Sequence, residues 1–272
     1  MENNYSHIGS VYLQKGEFEI ALKYFEKSLA LQEQMEDSHG MAETHRTLGS
    51  VYMKKGDLEK ALGCFRESLR IYEKLKDIQG IAKLFGNLGT IYFRKGEHEK
   101  SISFYERSLE IRKRLKNEQE TAQVLNNLGV LYARKGDLEQ SIQFYEDSLE
   151  IKKRLGDLQG MANTYSNLGS LYLKKGNLKK AFEYYKQDLE ISEKTGDPYG
   201  LAQAKGNLGV LYKEERRLAE AEASLLTAYE TFTKLGTMPD AEMAYGALKD
   251  LVSKYRMLGE EERAKRVEEA LG

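Results

Sequence analysis

Proline is almost missing from this chain: Pro198 and Pro239 are the only two in 272 residues. Proline lacks a backbone N–H and clashes with the preceding turn, so helix interiors expel it, and its scarcity favours a mostly helical protein. Cysteine occurs once, as Cys64. That excludes an intrachain disulfide and any cysteine-based zinc site, and it suits a reducing compartment. The four histidines, His7, His39, His45 and His98, have no partner at a helical metal spacing, and there is no HExxH pattern. No apolar run approaches the ~18 residues of a membrane-spanning helix. The start, MENNYSHIGS, lacks the basic and apolar regions of a secretion signal, so Asn4-Tyr5-Ser6 reads as a chance sequon. Neither sign of charge dominates: 42 basic residues oppose 43 acidic ones, for a net charge of −1. Such a balance exerts no overall pull on nucleic acid or an anionic membrane. These absences point to a cytoplasmic, helical, non-catalytic chain with no cofactor and no metal.

What the chain does have is a period. Gly9, Gly49, Gly89, Gly129, Gly169 and Gly209 recur every 40 residues, as do Tyr12, Tyr52, Tyr92, Tyr132, Tyr172 and Tyr212. Gly16, Gly56, Gly96, Gly136 and Gly176 keep the same interval, and Arg216 stands in the sixth copy. A period of this length marks a solenoid or array. It also bears on the one phosphate-loop candidate, Gly86-Asn87-Leu88-Gly89, because a catalytic loop is needed once and a structural joint in every repeat. There is no GxxxxGK[ST], and no acidic pair stands out for acid–base chemistry.

Each period divides into two helices of roughly 16–18 residues. Asp37, Asp77, Asp157 and Asp197 stand where a first helix would be capped, with Pro198 at a first helical position. Met161, Tyr165, Leu168, Leu171 and Tyr172 then share one face. Lys174, Lys175 and Gly176 give the cation-then-glycine ending. Asp57, Asp137 and Asn177 cap the second helices, whose stripe includes Ala181, Phe182, Tyr185, Leu189 and Ile191. The mid-helix glycine costs about 1 kcal/mol relative to alanine in each copy, which implies close helix approach. Tyr92, Phe104 and their equivalents are expected to fill the space between the helices, and Cys64 to be a packing residue.

The set Leu88, Gly89, Tyr92, Ser101 and Tyr105, repeated as Leu168, Gly169, Tyr172, Ala181 and Tyr185, resembles the tetratricopeptide repeat. Two features depart from that pattern: the period is 40 rather than 34, and Tyr5, His45, Phe85, Leu125, Tyr165 and Lys205 stand where a tryptophan is usual. The longer unit is similar to the arrays of kinesin light chains and of the Leu-Gly-Asn adaptors of spindle orientation. The resemblance implies an all-α, right-handed superhelical solenoid of antiparallel helix pairs. It divides the chain into six repeats, 1–40, 41–80, 81–120, 121–160, 161–200 and 201–240, and a degenerate pair over 241–272 that serves as a cap. The sixth copy loses its Lys-Gly joint. The first begins with no cap before it, as in a piece of a longer protein.

In such arrays extended peptides lie in a concave groove lined by the first helices. The residues before each Leu-Gly pair that would face the groove are Asn87, Asn127, Asn167 and Asn207, with Asn126 beside the second. A carboxamide donates and accepts together and so pairs with a peptide backbone. Lys54, Arg94, Arg134 and Lys174 form a second, basic row, suited to an acidic segment. The adjacent lysines, among them Lys55, Lys95 and Lys175, are assigned to solvent, and Phe93 and its equivalents to packing. The expected function is a peptide-binding scaffold or adaptor. The alternatives are a sensing module from a larger signalling protein and a structural protein that self-associates through its repeat ends. The spindle adaptors' G-protein-binding motifs are absent, so that cellular role does not carry over. No nucleic-acid or membrane partner is expected.

Overall fold

The computed structural model describes residues 2–271, with side chains from Asn4 onward. It forms two compact units, residues 1–135 and 136–272. The first contains α1 (Glu2–Gln14), α2 (Phe18–Gln34), α3 (Ser38–Lys55), α4 (Leu58–Leu75), α5 (Ile78–Arg94), α6 (His98–Arg114) and α7 (Glu118–Lys135). The second contains α8 (Leu138–Leu155), α9 (Leu158–Lys174), α10 (Leu178–Thr195), α11 (Pro198–Glu214), α12 (Leu218–Leu235), α13 (Met238–Met257) and α14 (Glu261–Leu271). No strand occurs among the described residues, and the fold class is an all-α solenoid of helix pairs. Within each unit every helix packs on the next in sequence. First helices also touch one another directly, α3 with α5, α9 with α11 and α11 with α13.

The caps fall where the sequence places them. Asp37, Asp77 and Asp157 accept the N–H of Gly40, Gly80 and Gly160 at 2.9–3.0 Å. Asp57, Asp137 and Asn177 do the same for the second helices at 3.1 Å. Each bond satisfies one of the donors that a helix start leaves without a partner. First helices end on a left-handed residue, as at Gly96 with φ +77°. The sixth copy keeps this joint although its glycine is gone, because Arg216 itself adopts φ +61°. An L-residue there costs roughly 1–2 kcal/mol.

The mid-helix glycines are contact points. A Cβ on Gly49, Gly89 or Gly169 would lie 2.5–2.9 Å from the ring of Phe65, Tyr105 or Tyr185, and one on Gly209 would lie 2.6 Å from Leu225. These partners belong to the second helix of the same repeat, and all four are buried. The second aromatic set stacks beside them. Tyr12 lies on Tyr24, Tyr92 on Phe104 and Tyr172 on Tyr184, with centroids 5.3–5.7 Å apart. The exposed lysine row reaches back 36 residues: Lys55 pairs with Glu19, Lys95 with Glu59 at 2.7 Å and Lys175 with Glu139 at 2.6 Å. Exposed pairs of this kind contribute about 0–1 kcal/mol each, so they trim the repeat spacing more than they hold it.

The last pair continues the register. Lys254 of α13 donates to the Lys213 carbonyl at 3.3 Å, just as Arg94 of α5 donates to that of Met53 at 2.8 Å. Leu248 and Leu251 are fully buried where Leu88 and Ile91 stand in the third repeat. Because α13 runs to Met257, its left-handed glycine comes at Gly259, three positions late. Glu222 fastens the end by accepting from Tyr255 at 2.8 Å and from Arg266 at 2.7 Å.

Gly169→Ala is expected to lower the unfolding free energy by roughly 1–2 kcal/mol, since overpacking against Tyr185 outweighs alanine's helix gain. Gly63→Ala, where an added Cβ meets nothing within 4 Å, is expected to raise it by up to ~1 kcal/mol. Urea titrations of the two variants check both signs. Arg216→Gly is expected to raise the thermal midpoint by relieving the left-handed strain.

Candidate functional site

The first unit contains a polar cavity of about 340 Å³ between the first helices α3, α5 and α7 and the second helix α6. Asn87 and Asn127 both line it, so this unit brings two of the expected ladder residues together. Lys83 and Gln123 line it as well. Each stands four residues before a ladder asparagine, one helical turn back on the same face. Arg46 and Arg112 complete the basic wall, and Glu120 is its acidic member.

Most of these groups are held. Arg112 is buried on α6, donates to the Ser108 hydroxyl at 2.9 Å and pairs with Glu120. Burial pulls its guanidinium below the ordinary value, and Glu120 opposes that pull. Arg46 gives two hydrogen bonds to Glu43, at 2.7 and 3.1 Å, and the Tyr72 hydroxyl donates to the other oxygen of that carboxylate at 2.6 Å. Burial would raise the Glu43 pKa, but the hydrogen bonds from Tyr72 and Arg46 and the charges of Arg46 and Lys83 carry it below the usual carboxylate range. Asn127 bonds to the Tyr105 hydroxyl, which also lies 2.8 Å from Thr90 Oγ1.

Two donors differ from the rest. The Nδ2 of Asn87 is buried and has no protein acceptor. Lys83, half-buried one turn away, has no ion pair or hydrogen bond among the described residues. A polar cavity with an amide donor and an ammonium both free of protein acceptors is chemically matched to an anionic or carbonyl-bearing group.

The other expected site residues are placed differently. Asn126 is half-buried beside Asn127. Lys54, Arg94 and Arg134 are exposed at the ends of α3, α5 and α7 and do not line the cavity. Arg94 holds the Met53 carbonyl, and Arg134 lies 4.5 Å above the Phe93 ring, so both clamp the preceding repeat. In the second unit Lys174 is exposed and Asn167 half-buried, while Asn207 donates to the Ser166 hydroxyl at 2.8 Å. Asn207 also borders a smaller cavity of about 130 Å³ with Val210, Leu225, Phe232 and Met243.

The tetratricopeptide repeat profile matches residues 1–74, 80–154 and 160–234. The chain belongs to the tetratricopeptide repeat family. Among solved structures the array is similar to BtubC (BKLC) from P. vanneervenii, at 26% identity and a TM-score of 0.72, over 80% of this chain and 92% of that one. A signal transduction ATPase with numerous domains from Pyrococcus horikoshii, which has a tetratricopeptide repeat sensor, shares the fold at 20% identity and a TM-score of 0.83. That similarity covers 99% of this chain and 41% of the ATPase. The apo form of RapI shares the fold at 17% identity and a TM-score of 0.69, over 98% of both chains. No curated protein matches the chain in sequence. Among the described residues, no helix is long and apolar enough to cross a membrane, and no group of three or more His, Cys, Asp or Glu is placed to hold a metal.

Asn87→Leu is expected to leave the urea midpoint of the free protein unchanged or to raise it. The substitution removes a buried donor whose lack of a partner costs about 1–3 kcal/mol. A drop of that size would mean the amide already serves the fold.

Proposed function

We propose that the array is a cytoplasmic peptide-binding scaffold that holds an extended, acidic segment of a protein partner against its first helices. The observation that carries this reading is the buried Asn87 amide with no acceptor beside the unpaired Lys83, in a cavity shared with Asn127. Stability alone would have removed such a donor, whereas a ligand carbonyl or carboxylate satisfies it. Asn127 and Asn126 extend the polar face along α7. Lys54, Arg94 and Arg134 supply positive potential at one end of these helices, and Asn167, Asn207 and Lys174 repeat the chemistry in the second unit. An affinity near micromolar, about −8 kcal/mol, fits contacts of this number and exposure.

The similarity to the sensor-bearing ATPase supports a second reading, in which the array is the sensing part of a larger signalling chain and the same face receives the signal peptide. Both readings use the same residues and differ in what is covalently attached.

Selection from a displayed random-peptide library on the immobilised protein should enrich acidic sequences. In anisotropy titrations of a selected peptide, Lys83→Glu combined with Asn127→Ala should raise Kd at least about tenfold, equivalent to ~1.4 kcal/mol. Binding should also weaken with salt. Unchanged affinity in the double variant would reject the cavity as the binding site.

A further inference from the structure

One second-helix position is small and hydroxylated in most repeats: Ser28, Ser68, Ser108 and Ser148 are all fully buried. Ser68 donates to the Ala42 carbonyl at 2.6 Å, and Ser108 donates to that of Ala82 at 2.8 Å. In the first repeat the Ser28 hydroxyl lies 2.7 Å from that of Ser6. The position therefore aims a donor at oxygen atoms of the first helix. In the fifth repeat it is Asp188, 2% exposed. An ionised carboxylate has no hydrogen to donate, and the first-helix carbonyl equivalent to those of Ala42 and Ala82 is that of Ala162 on α9.

Burial and the Ser192 hydroxyl are the influences on this carboxyl, and no ion pair of Asp188 is formed among the described residues. On α10 itself Asp188 meets the Ser192 hydroxyl and the buried phenol of Tyr185, and its Oδ2 has no hydrogen-bond partner. The charged side chains of α9 and its caps are Asp157 at the N-cap, Lys174 in the last turn and Lys175 at the C-cap. The buried ammonium of Lys152, from α8, is bonded to Thr164 on α9. On α11, Lys205 is half-buried and makes no ion pair among the described residues.

We infer that Asp188 is a proton-linked element of the second unit: it is neutral and donates to α9 in the tight packing of α9 and α10, and its ionisation loosens that packing. Burial pushes its carboxyl up to about 7, with the Ser192 hydroxyl opposing, so the change falls near neutral pH. The folded chain holds a proton that the unfolded chain releases in the ordinary range near ~3.9. Stability from this group is therefore complete below about pH 4, declines as pH rises toward 7 and is level above that. The helices that would respond, α9 and its neighbour α11, carry Asn167 and Asn207. The inference stands whether or not those residues bind a peptide.

The experiment compares urea unfolding of the full chain with that of Asp188→Ser, which restores the residue of the first four repeats, at pH 5, 6, 7 and 8. Asp188→Asn, neutral and of the same shape, is the second variant in case serine leaves a void. Relative to the wild type, the variants' midpoints should rise progressively from pH 5 to 7 and hold that difference at pH 8. In parallel, the Asp188 carboxyl carbon should titrate near neutrality by NMR. A difference that is the same at all four pH values, or a carboxyl titrating below pH 5, overturns the inference.

Discussion

The close approach of the two helices in each repeat, at a glycine with no room for a Cβ, is the constraint on which the rest of the structure depends. At Gly49, Gly89 and Gly169 an aromatic ring of the second helix occupies the space a side chain would need. That contact fixes the depth and rotation of one helix against the other. The stacked pairs such as Tyr92 and Phe104 then close the same interface further along. The cost of a glycine inside a helix, about 1 kcal/mol, is offset by burying a ring worth roughly 1.5–3 kcal/mol. Where the sixth repeat carries Leu225 in place of the ring, the glycine is retained at Gly209 and the approach is the same.

With the helices set in this way, the repeats join through polar contacts spaced by about one period. Arg94 on the Met53 carbonyl, Arg134 on the Phe93 ring and Lys254 on the Lys213 carbonyl tie α5, α7 and α13 each to the first helix before it. Arg94 and Arg134 of the basic row thus serve the stacking of repeats while keeping their charge exposed. This dual use separates them from Asn87, whose Nδ2 has no acceptor, and from Lys83, whose charge acts on Glu43 but which makes no ion pair among the described residues.

One buried position changes its chemistry in every repeat: Gln32, Tyr72, Arg112, Lys152, Ser192 and Phe232. Three of these side chains reach polar groups of a first helix, namely Tyr72 to Glu43, Arg112 to Glu120 and Lys152 to Thr164. The recurring mid-helix glycine contact carries the architecture, which leaves this register free to give each repeat a different interior polarity. The cavity in the first unit and the buried Asp188 in the second both arise from such local departures from the period.

Periodicity alone made much of this legible. Forty-residue spacing, Asp and Asn caps, Lys-Gly endings and the Leu-Gly-x-x-Tyr pattern specify helices, their ends and their contact faces, because each depends on local backbone chemistry or on one helix face. The tertiary structure decided what the period averages away. Which asparagines share a cavity depends on side chains from four helices, among them Arg46, Lys83 and Arg112, that no single helical face brings together. Whether a cation serves a ligand or a neighbouring carbonyl depends on atoms some 41 residues distant. The meaning of an aspartate at a serine position depends on burial, a property of the packed helices that the residue's place in the sequence does not reveal.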